Sequence, residues 1–209
     1  MYRSIQTIKM KYINQFPTHK YPWLPILYSL ILDIKPKTII EYGTEHGGTA
    51  IVMGLALKQL FEEAGHVGII QSYDTFDQQS KGEIGSTPNY NHAIQNIKHY
   101  NLENYINVNY GDFYEFCDRP NKEFDLLYFD IDNDGDKVLE MYNGCKTNID
   151  NGSLVIFEGG SITRDNVPWM INKNKTKIND VNVPFKLLTI EQKYSCSIIY
   201  NTTIYNLDI

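Results

Sequence analysis

Residues 38–50 read Thr38-Ile39-Ile40-Glu41-Tyr42-Gly43-Thr44-Glu45-His46-Gly47-Gly48-Thr49-Ala50. The first five form a β-branched run of the kind that a buried parallel strand shows. Gly43 and Gly47-Gly48 then mark a turn, and residues 49–64 read as a helix. Glycines let a backbone turn sharply and approach a ligand closely. The helix start beyond them offers free N–H groups that suit a carboxylate or phosphate. Two nucleotide-binding patterns compete for this stretch and both fail. Gly47-Gly48-Thr49 lacks the lysine of a phosphate-binding loop, and Gly43 with Gly47 and Gly48 does not make GxGxxG. Taken alone, the stretch is equally an ordinary glycine-bearing strand–helix turn.

On either side, strand-like and helix-like stretches alternate. Upstream, residues 5–16 have mixed periodicity and are expected to be helical. Residues 23–34 (WLPILYSLILDI) are apolar on most faces, which predicts a buried helix ended by Pro36. That helix either forms a dimer contact or covers the sheet. Downstream, strands are predicted over 67–73, 106–110, 124–129 and 153–157, helices over 90–100 and 137–148, and a polar loop over 77–89. The end differs: 185–190 and 195–200 read as strands with only a turn between them, and 203–207 as a third. Alternation followed by a terminal hairpin indicates an α/β protein, with a mostly parallel sheet, helices on both faces and an antiparallel edge.

The chain has 209 residues, 42% of them hydrophobic, and no linker-like stretch, so one domain is expected over 1–209. Within it, 1–36 would be an N-terminal helical cover and 37–209 the core. A net charge of -6 argues against a nucleic-acid partner, because phosphate binding relies on clustered Lys and Arg. The one basic run, Lys173, Lys175 and Lys177, reads as a solvated loop. Cys117, Cys145 and Cys196 make no CxxC or zinc spacing and suggest free thiols in a reducing compartment. The first residues lack the apolar core of a signal peptide, and no stretch reaches the ~18 apolar residues of a membrane span. A cytoplasmic protein is the expectation. Sequons at Asn151, Asn174 and Asn201 read as chance in so Asn-rich a chain.

In such a sheet, ligands sit beyond the carboxyl ends of the strands, near the point where strand order reverses. Glu41, Asp74, Asp112, Asp130 and Glu158 all fall just after or at the end of a predicted strand. An acid ending the second strand, Asp74, can accept hydrogen bonds from both hydroxyls of a ribose. Asp112 is placed either to meet an adenine amino group or to cap a helix over 113–117. The run Asp130-Ile131-Asp132-Asn133-Asp134-Gly135 matches the first half of an EF-hand calcium loop. Its twelfth position is Met141 rather than Glu, and a strand precedes it where a helix should, so that reading is rejected.

Taken together, TIIEYGTEHGGTA, IIQSYDTF, VNYGDFYEF, FDLLYFDID and NGSLVIFEGG, spread over 38–160, resemble the ordered motifs of class I S-adenosylmethionine-dependent methyltransferases. SYDTF (72–76) is further similar to a motif of macrocin-type sugar O-methyltransferases. The resemblance implies a Rossmann-like, seven-stranded sheet and S-adenosylmethionine as cofactor. It implies that Glu41, Gly43, Thr44, Gly47, Asp74, Thr75, Asp112, Phe113 and Asp130 would contact that cofactor. The acceptor would be a hydroxyl of a small molecule, sugar or glycan. In metal-dependent members, acids at the places of Asp130, Asp132 and Glu158 bind a divalent cation such as Mg²⁺ and help deprotonate the acceptor. Asp132 is then the expected base and Asp130 the first metal ligand. The chain departs from that pattern at Gly159, where a second late acid would stand, and at Asn133, where relatives often carry Lys or His. Those departures keep open a non-catalytic module that retains the fold, alongside a catechol-like Mg²⁺-dependent enzyme; the missing GxGxxG disfavours a nicotinamide-dependent oxidoreductase. His46 and His19 are expected to be structural or surface residues. Tyr42, Phe76 and Trp169 are candidates to line a pocket.

Overall fold

The computed structural model describes residues 9–17, 21–76, 90–119, 123–189 and 194–205. Within these, seven strands form one sheet: β1 (Thr38–Tyr42), β2 (Ile69–Asp74), β3 (Ile106–Tyr110), β4 (Leu126–Phe129), β5 (Leu154–Glu158), β6 (Lys186–Thr189) and β7 (Cys196–Ile199). Their order is β3-β2-β1-β4-β5-β7-β6. The first five are mutually parallel, and β7 runs antiparallel to both β5 and β6. The chain builds outward from β1 to β3 and then returns to lay β4 against the other side of β1. Strand order therefore reverses between β1 and β4, and the crevice at their carboxyl ends is the expected ligand position.

Six helices flank the sheet among the described residues: α1 (Leu24–Ile34), α2 (Gly48–Ala64), α3 (Tyr90–His99), α4 (Phe113–Cys117), α5 (Gly135–Asp150) and α6 (Pro168–Asn172). One face carries Ile39, Ile70, Leu126, Tyr128, Ile156 and Ile198 under α1 and α2. The other carries Leu127, Phe129, Val155 and Phe157 against Val138, Met141 and Cys145 of α5. Every residue of β4 and β5 is buried, which is why these strands read as unbroken apolar runs rather than as an alternation. Burying one such side chain stabilises the fold by about 1.5–3 kcal/mol, so the two faces together dominate its energetics.

Helix α2 is buried at every position from Ala50 to Leu57, having the sheet on one side and α1 on the other. Helix α1 carries Pro25 in its first turn, which the fixed φ of proline suits. It stops at the left-handed Lys35 because the next residue, Pro36, cannot continue a helix. Leu24, Leu27, Tyr28 and Ile31 are buried within this one chain, where α1 packs chiefly against α2.

Two expected elements differ. Of residues 5–16, expected to be helical, the described part holds only a 3₁₀ turn, Ile13–Gln15, and residues 5–8 lie outside the described residues. Residues 203–205, expected to begin a third terminal strand, form a turn: the Asn201 carbonyl accepts from the N–H groups of Ile204 and Tyr205, and its side chain accepts from the Thr203 N–H at 2.9 Å. A local side-chain cap outcompetes the β-branched preference of Thr202-Thr203-Ile204. The rest of that stretch, the expected loop 77–89 and His19 lie outside the described residues. No helix among those described is long and apolar enough to cross a membrane.

Candidate cofactor and acceptor site

The turn after β1 is set by close approach. Gly43 has φ +98°, donates its N–H to the Tyr73 carbonyl at 2.9 Å, and lies directly on the backbone of Asp130. A Cβ there would overlap the Asp130 carbonyl oxygen and stand 2.8 Å from its carbonyl carbon. No residue with a side chain fits, which is the physical reason for glycine at the switch point. Gly47, also left-handed, begins α2, and no side chain caps that helix. The first N–H groups of α2 therefore remain donors at the crevice.

Asp74, at the end of β2, ties two loops together. One carboxylate oxygen accepts from the Glu45 N–H at 2.8 Å and the other from the Phe76 N–H at 2.7 Å. Each oxygen keeps a second lone pair, so the group still has the bidentate capacity a ribose diol needs. The link holds Phe76 in a left-handed conformation (φ +44°), with Thr75 between the two. The Phe76 ring meets Tyr90 and Tyr110 edge-on, and those two rings stack at 5.0 Å. This aromatic block adjoins Asp112, which caps α4 by accepting from the Tyr114 N–H at 2.9 Å. The cap uses one lone pair and leaves others for a ligand donor.

Three of the expected cofactor residues turn their side chains elsewhere. The Thr44 hydroxyl lies 2.6 Å from that of Ser72, which donates to Glu41. Both Glu41 and Thr44 are buried behind the loop rather than facing the crevice. Phe113 is buried as well, stacked on Phe129 at 4.6 Å. Tyr42, expected to line a pocket, is likewise core: its ring stacks on Tyr73 at 5.1 Å and meets Phe113 and Phe116. At these positions only the backbone remains available to a ligand. His46 sits in the loop with its ring 5.9 Å from that of His92 on α3.

Burial raises the Glu41 carboxyl to about 8, and the Asp130 and Asp74 charges add to the shift against the Ser72 hydrogen bond. The folded state therefore keeps its proton through a window in which the unfolded chain, near 4.5, has lost it. Stability should fall as pH rises from about 4.5 to about 8 and level off above. Glu41→Gln, isosteric and neutral, removes this dependence. Unfolding free energies from urea titrations at pH 5 to pH 9 should diverge progressively between the two proteins, by up to about 4 kcal/mol at the alkaline end. Parallel profiles would show that Glu41 ionises normally.

At the end of β4, Asp130 is half-buried and its N–H donates to the Tyr42 carbonyl. Desolvation raises that carboxyl to about 7; Glu158, Glu45 and Asp132 push in the same direction and Arg164 opposes them. Asp132 is exposed on the outside of the turn, and its carbonyl accepts from Lys137 at 3.1 Å. Asn133 is buried and braces the turn, donating to the carbonyls of Phe129 and Glu158 at 3.2 and 2.8 Å. Asp134 caps α5 and pairs with Lys175 at 2.8 Å, while Asp136 accepts from Thr176. The basic run expected to be solvated thus closes onto the acidic turn, where Lys175 pairs with one of its carboxylates, and Lys177 reaches Asn166.

The expected cation ligands Asp130, Asp132 and Glu158 do not fit a metal. Among the described residues no group of three or more His, Cys, Asp or Glu could hold an ion. Glu158 is only 8% exposed, and both its oxygens accept from Nε of Arg164, at 2.7 and 3.0 Å. Sequence reasoning missed Arg164. Trp169 does lie here, its ring 4.9 Å from the guanidinium carbon, and Tyr21 stacks on Trp23 with an edge toward Tyr194. Burial, with the Asp130, Glu45 and Glu158 charges adding to it, pushes the Tyr21 hydroxyl well up. The one available signal was a lone arginine shortly after the fifth strand, in a stretch opened by Gly159-Gly160.

This architecture, a seven-stranded sheet with a glycine turn and acids at the strand ends around its switch point, is that of a class I methyltransferase. Residues 40–158, more than half of the chain, match the family described as a methyltransferase domain, and the chain belongs to that family. No curated protein sequence matches it significantly. Among solved structures, it is similar to the O-methyltransferase TomG from Streptomyces achromogenes in complex with SAM (14% identity, 86% of this chain and 80% of that one, TM-score 0.56). An O-methyltransferase from Bacillus cereus in complex with SAH is 17% identical over 88% of this chain and 83% of that one, with a TM-score of 0.55. The SAH-bound methyltransferase PaMTH1 from Podospora anserina is 14% identical over 90% and 83%, with a TM-score of 0.57. At these identities the likeness establishes the fold.

Proposed function

We propose that this methyltransferase uses S-adenosylmethionine to methylate a hydroxyl of a small molecule, with a sugar or glycan as the preferred acceptor class, in the cytoplasm. The observation that carries the cofactor assignment is Asp74. It spans the loops after β1 and β2 while keeping lone pairs for a diol, beside the uncapped start of α2. Asp74 would hold the ribose, the first N–H groups of α2 the carboxylate, and the aromatic block of Phe76, Tyr90 and Tyr110 the adenine, with Asp112 beside it. The cofactor supplies an electrophilic methyl group on a sulfonium. The SAM- and SAH-bound O-methyltransferases of the same fold support the reading, and the sugar preference follows the SYDTF similarity.

The protein's own task is positioning plus removal of one proton. In-line transfer needs the acceptor oxygen held against the methyl carbon, and orientation of that kind supplies much of the rate. A hydroxyl must also lose its proton, and a base works best with a pKa near the working pH. Asp130, at about 7 and half-buried at the switch point, meets that condition and replaces the exposed Asp132 as the preferred base.

Calorimetric titration with S-adenosylhomocysteine tests the cofactor assignment. The wild type should bind in the micromolar range. Asp74→Asn, which keeps the shape but removes the charge, should weaken binding about 10- to 100-fold, the worth of one or two charged hydrogen bonds. An absence of binding by the wild type would instead indicate a module that keeps the fold without the chemistry.

A further inference from the structure

We infer that Arg164 is a built-in cation that takes the place of a divalent metal at Glu158, beside the turn that carries Asp130 and Asn133, so that acceptor activation in this chain proceeds without one. The inference rests on the methyltransferase reading and concerns the same site. Arg164 is 6% exposed, an unusual setting for a guanidinium. Its Nε engages both oxygens of Glu158, and Nη2 lies 3.5 Å from the Asn133 carbonyl. Nη1 is sealed from solvent and has no hydrogen-bond partner. The Trp169 ring covers the guanidinium carbon.

The stretch that delivers Arg164 is held from several directions. The Arg164 N–H donates to the Ser161 hydroxyl at 3.1 Å. The neighbouring Asp165, also buried, accepts from the backbone and side-chain N–H groups of Asn179, both at 2.9 Å, and the Asn179 amide also donates to the Gly160 carbonyl. A side chain fixed this firmly does not swing away to admit an ion. Charge counting agrees. With Asp130 and Glu158 ionised and Arg164 positive, the group carries one net negative charge, and protonation of Asp130 brings it to neutrality. A divalent cation placed there would face a buried guanidinium in a medium that screens poorly. The same positive charge acts through space on a negative charge that develops on the acceptor oxygen as its proton leaves.

Mn²⁺ is the probe, read by its electron paramagnetic resonance on the full chain, with binding of S-adenosylhomocysteine measured on the same samples. The wild type should leave added Mn²⁺ free, and EDTA should not alter cofactor binding. Arg164→Met should uncover a Mn²⁺ site at least about tenfold stronger than any in the wild type, and adding Glu158→Gln should abolish it. Removing Arg164 leaves a buried carboxylate unpaired and costs stability. Arg164→Lys, which keeps the charge, is therefore made in parallel and should bind no Mn²⁺. One result needs no Arg164 variant: Mn²⁺ bound by the wild type and lost in Glu158→Gln would overturn the inference. So would a folded Arg164→Met protein that gains no Mn²⁺ site. Failure to bind S-adenosylhomocysteine would count against the methyltransferase reading alone, since Mn²⁺ binding is scored separately.

Discussion

Gly43→Ala is expected to destabilise the protein by about 3 kcal/mol or more and to abolish binding of S-adenosylhomocysteine. Two costs add. A non-glycine residue at φ +98° is strained by about 1–3 kcal/mol. The new Cβ also collides with backbone rather than with a side chain that could move aside, because the atoms it meets are the carbonyl group of Asp130. Relief requires β1 and β4 to separate at their carboxyl ends, which opens the switch point itself. Gly65→Ala separates the two costs: Gly65 is also left-handed, at φ +65°, but a methyl group added there would meet nothing within 4 Å. That control should lose about 1 kcal/mol and bind normally. Thermal melting would report a drop of roughly 6–12 °C for Gly43→Ala, given the usual scaling for a chain of this size. A drop under about 2 °C with normal binding would mean that the glycine turn and Asp130 do not meet as described.

The same close approach shows what the sequence disclosed and what it withheld. Strands β1 and β3 could be bounded from residue types alone, since a β-branched run ending in a glycine-bearing turn leaves little choice. The acids at the strand ends followed from topology, because parallel strands all finish on one edge of the sheet. Side-chain direction was harder, although one clue was present. Glu41 is two residues from Ile39 and so points to the same face of β1, the face covered by α1 and α2. Period-two alternation thus places Glu41 in the core, where its register neighbour Ser72 donates to it.

Arg164 had no such signal. Its pairing with Glu158 depends on a double-glycine turn in which Gly159 and Gly160 take φ of +117° and +98°. It depends equally on Asn179, distant in sequence, holding Asp165 in place. Nothing in the residue types between 158 and 164 dictates that the chain folds back. The acidic run 130–136 misled for a related reason. Its carboxylates look like free ligands until Lys175 and Thr176 are brought across to two of them. Long-range pairing decided the chemistry of this loop, and composition could report only its charge.

Asp130→Asn carries the second large effect, this time on catalysis with little change in stability. A positioned general base contributes about 10²–10⁴-fold to rate, so kcat should fall by at least about 100-fold. The carboxyl stands near 7 because it is desolvated and faces Glu158, Glu45 and Asp132, with Arg164 only partly offsetting them. The base form is the ionised one, so wild-type kcat should rise with pH through about 7 and then level off. In Asp130→Asn that acid limb should vanish, leaving a low and flat profile. Asparagine retains the backbone contact with Gly43 and the N–H bond to Tyr42, so binding of S-adenosylhomocysteine should stay within a fewfold of wild type. Asp132→Asn, altering an exposed group whose charge is the smallest of those raising the Asp130 pKa, should leave the rate nearly intact and move the limb only slightly to lower pH. If Asp132→Asn instead removed the limb while Asp130→Asn kept it, the base would be Asp132 and the raised pKa of Asp130 would have no part in proton removal. Arg164 gives a final discriminating step. Its positive charge lowers the Asp130 pKa, so Arg164→Met should move the limb to higher pH, a shift that a purely structural arginine would not produce.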